Sequence, residues 1–287
     1  MNKYIFSGIH YENNESFLLL DVGNKSACNR SVISIRNIAL ALTRHKSRFC
    51  TGYYDINTLQ KHPCPTISPV DEKNVTCRSC SMKMAFNPYF YNVRQDVLPE
   101  KQKLYLNEKH IVYLAYFGGE YVKVGITNNR RRFTRLFEQG ARHACIVAEC
   151  ASAYEAREIE HKFISLCGVK EVVRKQTKRK LALVDYPENV SKEIFSELIN
   201  RYNTLSHQQE DVDMKVFINL DKESFFAGAF PEELINDITD ISPVRFSGKI
   251  LGTIGDILFV DTGVFVDLID TNLIKSHIVS LEMTGQL

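Results

Sequence analysis

Four of the eight cysteines in this chain fall within residues 50–80, a segment too polar to build a core of its own. The segment contains three prolines and has no sustained helical or strand periodicity. Such a stretch does not bury enough apolar surface to offset the conformational entropy that it loses on ordering. We therefore expect the cysteines to supply the constraint that holds this part of the chain in one conformation.

The clustered cysteines have the spacing C-x13-C-x12-C-x2-C and are Cys50, Cys64, Cys77 and Cys80. Zinc accepts four thiolates in a tetrahedral shell, and a closed shell leaves no position for a reacting water. Metal binding then supplies the folding free energy that the apolar content lacks, with His62 as a substitute ligand. A redox-active C-x-x-C pair is the alternative, but that motif is expected at a helix start after a strand, and a loop precedes it here. The spacing predicts a structural zinc site.

Residues 110–127, "HIVYLAYFGGEYVKVGIT", form two apolar, β-branched and aromatic runs separated by two glycines. This pattern predicts a hairpin of strands 110–117 and 120–127 with a tight turn. A helix beginning near Asn128, a third strand at "HACIVAEC" and a second helix ending before Gly168 follow. The predicted order is β-β-α-β-α, which is compact enough for one domain.

Side chains alternate across the strands of this hairpin, so Lys123 and Gly125 share one face, and an antiparallel partner brings Tyr113 alongside them. The apolar residues of the following helix are spaced to face the core and are Phe133, Leu136 and Phe137. With those residues inside, Arg131 and Arg135 point away from the core and Arg132 lies on the flank.

In the second helix, Glu160 lies at the edge of an apolar stripe that consists of Ala156, Ile159, Phe163 and Leu166. A carboxylate there can face a cleft and hold a hard divalent cation. Guanidinium groups fork onto phosphate oxygens, and a carboxylate-bound magnesium polarises a phosphate. A phenol such as Tyr113 acts as a base at neutral pH only beside positive charge. Together these groups predict chemistry on a phosphodiester.

The charge distribution along the chain is uneven. Residues 101–180 hold 17 Lys and Arg against 8 Asp and Glu, whereas residues 181–287 hold 7 against 18. A basic middle suggests a polyanion site, and solvated helix faces are the alternative reading. The run "VVRKQTKRK" is either a solvated linker or an arm along a phosphate backbone. The residues predicted to bind nucleic acid are Arg130, Arg131, Arg174, Lys175, Lys178, Arg179 and Lys180.

The motifs "VYL" and "KVG", followed by an arginine helix, a strand and "AREIE", resemble the GIY-YIG nuclease superfamily over about 60 residues. The resemblance implies Tyr113 as the base, Glu160 as the ligand of magnesium or manganese, and a helix arginine as the phosphate clamp. Lys123 stands where the superfamily has its second tyrosine. The spacing after Gly125 favours Arg132 as the clamp.

A longer resemblance covers most of the chain. The segments "CTGYYD", "HPCP", "TCRSC", "FNPYFYNV", "VYLAYFG", "KVGIT" and "RLFEQGA" are similar to an uncharacterised bacterial family known as a domain of unknown function. In that family a cysteine-rich segment precedes a GIY-YIG-like core. Its pattern points to Arg135 as the clamp, one helical turn from Arg132, and we favour Arg135.

These features predict an α+β fold in three parts. Residues 1–100 hold strands and the four-cysteine zinc module, residues 101–182 the GIY-YIG-like core, and residues 183–287 a helix and a small antiparallel barrel-like region. The first hypothesis for function is a magnesium- or manganese-dependent endonuclease, with DNA favoured over RNA. The second is a non-catalytic zinc-containing nucleic-acid-binding protein. The third is a zinc-stabilised protein whose tail binds another protein.

Apolar runs in this chain are short. None approaches the roughly 18 residues that span a bilayer, so no membrane partner is expected. The start, "MNKYIFSGIHYENNE", lacks the continuous apolar region of a secretory signal. A cytoplasmic protein is therefore the expectation.

Overall fold

The structure is a computed structural model that describes residues 2–24, 27–36, 38–182, 184, 186–206, 211–223, 234–238 and 245–284. It divides into two compact units, the first formed by residues 1–85 with 224–287 and the second by residues 86–223. Both contain strands and helices, and the mixed α+β class predicted from the sequence is confirmed.

The strands of the described residues are β1 (Asn2–Glu12), β2 (Glu15–Asn24), β3 (Ala27–Ser34), β4 (Ala39–Arg48), β5 (Tyr53–Asp55), β6 (Gln60–His62), β7 (His110–Gly118), β8 (Tyr121–Asn128), β9 (His143–Cys150), β10 (Val216–Asn219), β11 (Ile235–Ile238), β12 (Arg245–Ile254), β13 (Ile257–Asp261), β14 (Val266–Asp270) and β15 (His277–Thr284). The helices are α1 (Arg78–Met84), α2 (Glu100–Leu106), α3 (Arg132–Gln139), α4 (Ala153–Cys167), α5 (Lys175–Leu181), α6 (Glu188–Ser206) and α7 (Leu220–Glu223). Among them, no helix combines the length and the apolarity that crossing a membrane requires.

The first unit is built on one nine-stranded sheet in the order β11-β14-β13-β12-β4-β15-β1-β2-β3. β15 pairs with β1 through Ile278 and Ile5, and with β4 through Ser280 and Thr43. This strand near the C-terminus therefore lies between two strands from the N-terminal part of the chain. The predicted barrel-like region in the tail is wrong, because the described tail strands belong to this open sheet. Local alternation predicts strands but does not specify which distant strand pairs with them.

The second unit also differs from the predicted division. Its four-stranded sheet, in the order β10-β9-β7-β8, includes a strand from beyond residue 182. Helix α6 packs there as well, with Phe195 beside Tyr116 and with Tyr202 stacked on Phe163 at 4.3 Å between ring centroids. The boundary that the sequence placed at residue 182 therefore falls inside one hydrophobic core.

Strand β7 lies between β8 and β9 and is buried along its whole length. Its hairpin with β8 turns at Gly118, whose φ of +125° and close approach to the Tyr186 ring leave no room for a side chain. Helices α3 and α4 follow β8 and β9 respectively, so the predicted β-β-α-β-α order is present. This order brings Gly125 of β8, Arg135 of α3 and Glu160 of α4 to one cavity.

Candidate metal centre and cationic cavity

The four predicted cysteines lie together in the first unit. Their sulfur atoms are all within 4.8 Å of one another, and Sγ of Cys64 is 4.0 Å from Sγ of Cys77. Zinc–sulfur bonds of about 2.3 Å in a tetrahedron place sulfur atoms ~3.8 Å apart. Since Cys50, Cys64 and Cys80 are also buried, the cluster can hold a metal ion away from solvent.

Two short loops and a helix start bring these thiols together. Gly52 has a φ of +87° and lies against the His62 carbonyl, so that its amide turns back to donate to the Cys50 sulfur at 3.3 Å. Cys77 precedes α1 and donates its own amide to the same sulfur at 3.1 Å, while Cys80 follows within the first turn of that helix. Backbone donors aimed at a sulfur stabilise its thiolate form, the form that binds metal.

The pKa values of the thiols differ within the cluster. Burial raises the pKa of Cys50 to about 11. Burial also acts to raise the pKa of Cys64, but hydrogen bonds from Ser68 and Thr66 outweigh it and lower the pKa to about 6. Coordination to a cation would deprotonate the thiols of the cluster.

His62 was the predicted substitute ligand. Its ring stacks on Tyr53 with 5.0 Å between centroids, and the metal-binding group found among the described residues consists of the four cysteines. The four candidate ligands that the structure brings together are thus all thiols, as the spacing predicted.

Arg30 ties this segment to the large sheet, and the sequence analysis did not find it. Its Nη1 and Nη2 donate to the carbonyls of Lys61 and Thr51 at 2.9 and 2.8 Å. Its Nε pairs at 2.6 Å with Asp21, a buried carboxylate that also accepts from Ser7. The segment that carries the four cysteines therefore has a polar anchor on β2 and β3 in addition to its thiols.

In the second unit, one cavity of about 460 Å³ collects most of the residues predicted to act on a phosphodiester. The predicted residues that line it are Tyr113, Lys123, Arg131, Arg135 and Glu160. They come from β7, β8, α3, its preceding turn, and α4. Four cationic side chains line the cavity in total, since Arg157 joins the three from the predicted set.

Tyr113 is buried on the cavity side of β7, directly opposite Gly125 of β8. Its ring lies across that glycine, where a Cβ atom would be 2.5 Å from the phenol oxygen. Burial raises the pKa of Tyr113, and the charge of Arg135 offsets only part of the effect. The phenol is therefore protonated at neutral pH and fits a hydrogen-bond donor to an anion better than the general base implied by the resemblance.

The two candidate clamp arginines have different surroundings. Arg135 lines the cavity and lies 3.6 Å from Glu138, which also binds Arg131 at 2.7 Å. Arg132 pairs instead with Glu149 at 3.7 Å and stacks over the ring of Phe133. The structure thus places Arg135 rather than Arg132 beside Tyr113.

Helix α3 departs from the predicted orientation in its first turn. Leu136 and Phe137 are buried as expected, but Phe133 is exposed. Its ring packs against the guanidinium of Arg132 instead of the core.

Glu160 lies in the middle of the buried face of α4, where it is 4 % exposed, and not at the edge of that face. It forms an ion pair with Arg157, whose guanidinium also binds Glu171 at 3.1 Å and stacks over Tyr91 at 4.3 Å. Burial raises the pKa of Glu160 despite the opposing charge of Arg157. Both carboxylates in reach of a cation are thus already bound to Arg157, so the donor set does not fit the predicted magnesium or manganese ion.

Lys123 is the residue at the position where the GIY-YIG motifs have a second tyrosine. Its Nζ donates to Oε1 of Gln139 at 3.0 Å. Burial, and after it the charge of Arg135, lowers the pKa of Lys123 to about 8. The side chain is therefore a cation at neutral pH that loses its charge under mildly alkaline conditions.

The predicted nucleic-acid-binding residues outside the cavity are dispersed. Arg130 pairs with Glu108 at 2.7 Å. The run after residue 173 forms helix α5, not an extended linker or arm, with Lys178 bonded to the Gln139 carbonyl at 2.6 Å and Arg179 buried. The predicted basic residues of this run whose side chains are exposed are Arg174, Lys175 and Lys180.

Sequence reasoning missed an aromatic wall on the cavity. The wall is formed by Phe86, Tyr89, Phe90, Tyr91 and Tyr105, all of which line it. The dense aromatic run "FNPYFYNV" in an otherwise polar stretch was the available signal. Arg157 was also missed, although its i, i+3 spacing to Glu160 is the spacing of paired charges on one helix face.

Comparisons with known proteins give one match. A model of the family described as "Protein of unknown function (DUF2797)" matches residues 58–279. No curated protein matches the chain, and no solved structure matches it. The matched range includes three of the four clustered cysteines and every residue that lines the cavity.

Proposed function

This chain belongs to the DUF2797 family of proteins of unknown function, and we propose that it binds nucleic acid through a phosphodiester held in the cavity of the second unit. One observation carries the proposal. Tyr113, Lys123 and Arg135 reach a single cavity from three different elements. Two cations and a protonated phenol line one cavity, which is the chemistry that recognises a phosphate.

The resemblance to GIY-YIG nucleases supports the same function. The β-β-α-β-α order is that of the superfamily, and Tyr113 and Glu160, which its motifs implied, line the cavity together with Arg135, which the longer family resemblance implied. Binding ranks above cleavage because the second signature tyrosine is Lys123 and because Glu160 is paired with Arg157. We propose DNA as the first ligand to test and RNA as the second.

Zinc is the metal that we propose for the four-cysteine cluster. Thiolates are soft ligands that favour zinc over magnesium or calcium, and four of them form the closed shell of a structural site. Its role is then to fold the segment around Cys50–Cys80 of the first unit.

Cleavage of the bound diester is the second candidate, favoured by the presence of Tyr113, Arg135 and Glu160 in one cavity. A plasmid-nicking assay with magnesium and with manganese, on wild type and on Glu160→Ala, tests it. Metal-dependent nicking that disappears in the variant would establish the nuclease. Equal background levels of nicking by wild type and by the variant would leave binding as the function.

Arg135→Met is expected to weaken DNA binding about tenfold and to reduce the slope of log K against log salt by ~1, since one phosphate contact is lost. Fluorescence anisotropy across a salt series measures both quantities. Arg132→Met is the matched control, because Arg132 lies on the same helix but pairs with Glu149 outside the cavity. Equal losses in the two variants, or wild-type binding that ignores salt, would contradict a phosphate site here.

DNA affinity is expected to fall as pH rises through about 8, the pKa of Lys123 in the free protein. Below that pH the ammonium is charged and attracts phosphate, and above it the neutral amine does not. The expected loss between pH 7 and pH 9.5 is about tenfold, since a hydrogen bond to a charged group contributes ~1.5–3 kcal/mol. The DNA affinity of Lys123→Arg should stay constant over this pH range, because the guanidinium group stays protonated. A decline of the same size in Lys123→Arg would assign the pH dependence to another group.

A further inference from the structure

The cavity that holds the cationic side chains is also lined by the aromatic wall, defined above as Phe86, Tyr89, Phe90, Tyr91 and Tyr105. Large aromatic rings are usually covered in folded proteins, yet Tyr89 is 64 % exposed and Phe86 is 39 % exposed. These rings border the same space as Arg131 and Arg135. Flat apolar surface and positive charge are thus presented to one ligand.

The wall is held in place by specific contacts. Gln102 is fully buried, and its side-chain amide both accepts from the Asn87 amide at 2.9 Å and donates to the Asn87 carbonyl at 2.7 Å. Phe90 is buried with its edge against Tyr154. The backbone that carries the exposed rings is therefore anchored at Asn87 and Phe90, and ordering it costs little entropy when a ligand packs there.

The rings of the wall differ in their partners. Tyr91 is covered by the guanidinium of Arg157, and Phe86 packs edge-on against Tyr105. Among the ring and cation contacts of the described residues, Tyr89 has none. Its faces are therefore open to a flat group brought in by the ligand.

We propose that the aromatic wall stacks an unpaired base, with Tyr89 as the principal ring, so that the ligand is single-stranded nucleic acid or an unpaired stretch within a duplex. The inference rests on the proposed function, since the phosphate held by Arg131 and Arg135 brings the base to the wall. Aromatic rings bind bases of any sequence by stacking, and a positive groove tracks the backbone beside them. A base inside a duplex has both faces covered by its neighbours and offers no surface for Tyr89.

The size of the cavity agrees with this ligand. Its volume of about 460 Å³ falls within the range of small-ligand pockets, about 300–1,000 Å³. A space of that size takes one extruded nucleotide. The charged and aromatic side chains that line it also match the phosphate and the base of a nucleotide.

The test compares three fluorescent DNA probes of equal length on the full chain: a single strand, its duplex, and a single strand of abasic sites. Wild type is expected to bind the single strand about tenfold more tightly than the abasic strand. Tyr89→Ala should remove that difference and leave abasic and duplex binding unchanged, whereas Tyr89→Phe should retain it. Phe133→Ala is the matched control, because Phe133 is an exposed ring of the same unit that does not line the cavity.

The outcomes separate the two proposals. Salt-dependent binding of all three probes with equal affinity would overturn base stacking and keep the phosphodiester site. Loss of single-strand affinity in Phe133→Ala equal to that in Tyr89→Ala would also overturn it. Absence of binding to every probe would overturn both.

Discussion

Cys50→Ser is expected to abolish stoichiometric zinc binding and to unfold the segment from residue 50 to residue 84. Cys50 is fully buried and accepts two backbone amides, from Gly52 and Cys77, so its loss removes a ligand and disconnects both loops. Structural zinc supplies on the order of 10 kcal/mol to domains that lack a core. We expect the free energy of unfolding of the first unit to fall by ~5 kcal/mol or more.

Elemental analysis and hydrogen exchange check this expectation. Wild type should carry about one zinc per chain, and amides of the segment should exchange slowly until a chelator removes the metal. Cys28→Ser is the control, because Cys28 lies in the same unit outside the cluster. Full zinc content and slow exchange in Cys50→Ser would show that the fold of the segment does not depend on the metal.

Gly125→Ala is expected to destabilise the second unit by ~3 kcal/mol and to weaken DNA binding at the same time. The new methyl group would lie 2.5 Å from the phenol oxygen of Tyr113 and 2.6 Å from the ring carbon that bears it. Tyr113 is 1 % exposed and cannot move aside without disturbing the core, and overpacking of this kind costs about 1–3 kcal/mol, sometimes more. The displaced phenol would also move out of the position from which we propose that it donates to a phosphate.

A double mutant separates this clash from a general loss of stability. Chemical denaturation of Gly125→Ala, Tyr113→Ala and the combined variant should show that the pair costs less than the sum, since removing the ring makes room for the methyl group. Gly119→Ala is the control in the turn of the same hairpin, where a methyl group meets nothing within 4 Å and the strain of a positive φ costs ~1–2 kcal/mol. Strict additivity in the cycle would contradict the predicted overlap.

Local pattern was sufficient for the elements that surround the cavity. The hairpin of β7 and β8, the strand "HACIVAEC" and helix α4 appear at the expected positions because hydrophobic periodicity and glycine stops act within one element. Helix α3 ends before Gly140 as expected, but it begins at Arg132, after a 3-10 turn over Asn129–Arg131, and not near Asn128. The cross-strand pairing of Tyr113 with Gly125 depends in addition on a β-bulge between Tyr116 and Gly118, which shifts the register of the hairpin. The cysteine cluster was predictable for a similar reason, since a segment without a core needs its four thiols to converge.

The composition of the cavity was harder to predict. Tyr113, Lys123 and Glu160 were found from the strand and helix patterns and from the resemblance. The aromatic wall was not, because its position depends on the buried amide of Gln102, a contact across 15 residues that no periodicity encodes. The pairing of Glu160 with Arg157, which involves the carboxylate predicted to bind magnesium, depends on how α4 is rotated against the sheet.

By itself the sequence determined the β-β-α-β-α elements of the second unit, the convergence of the four cysteines and most of the charged groups that line the cavity. These properties arise within single elements or from the chemistry of one residue type. Only the tertiary structure decided that the tail strands join the N-terminal ones in one sheet, that strand β10 joins the second sheet, and that aromatic rings line the cavity beside the cations. Each of these depends on contacts between segments far apart in the chain, where packing and not local preference selects the partner.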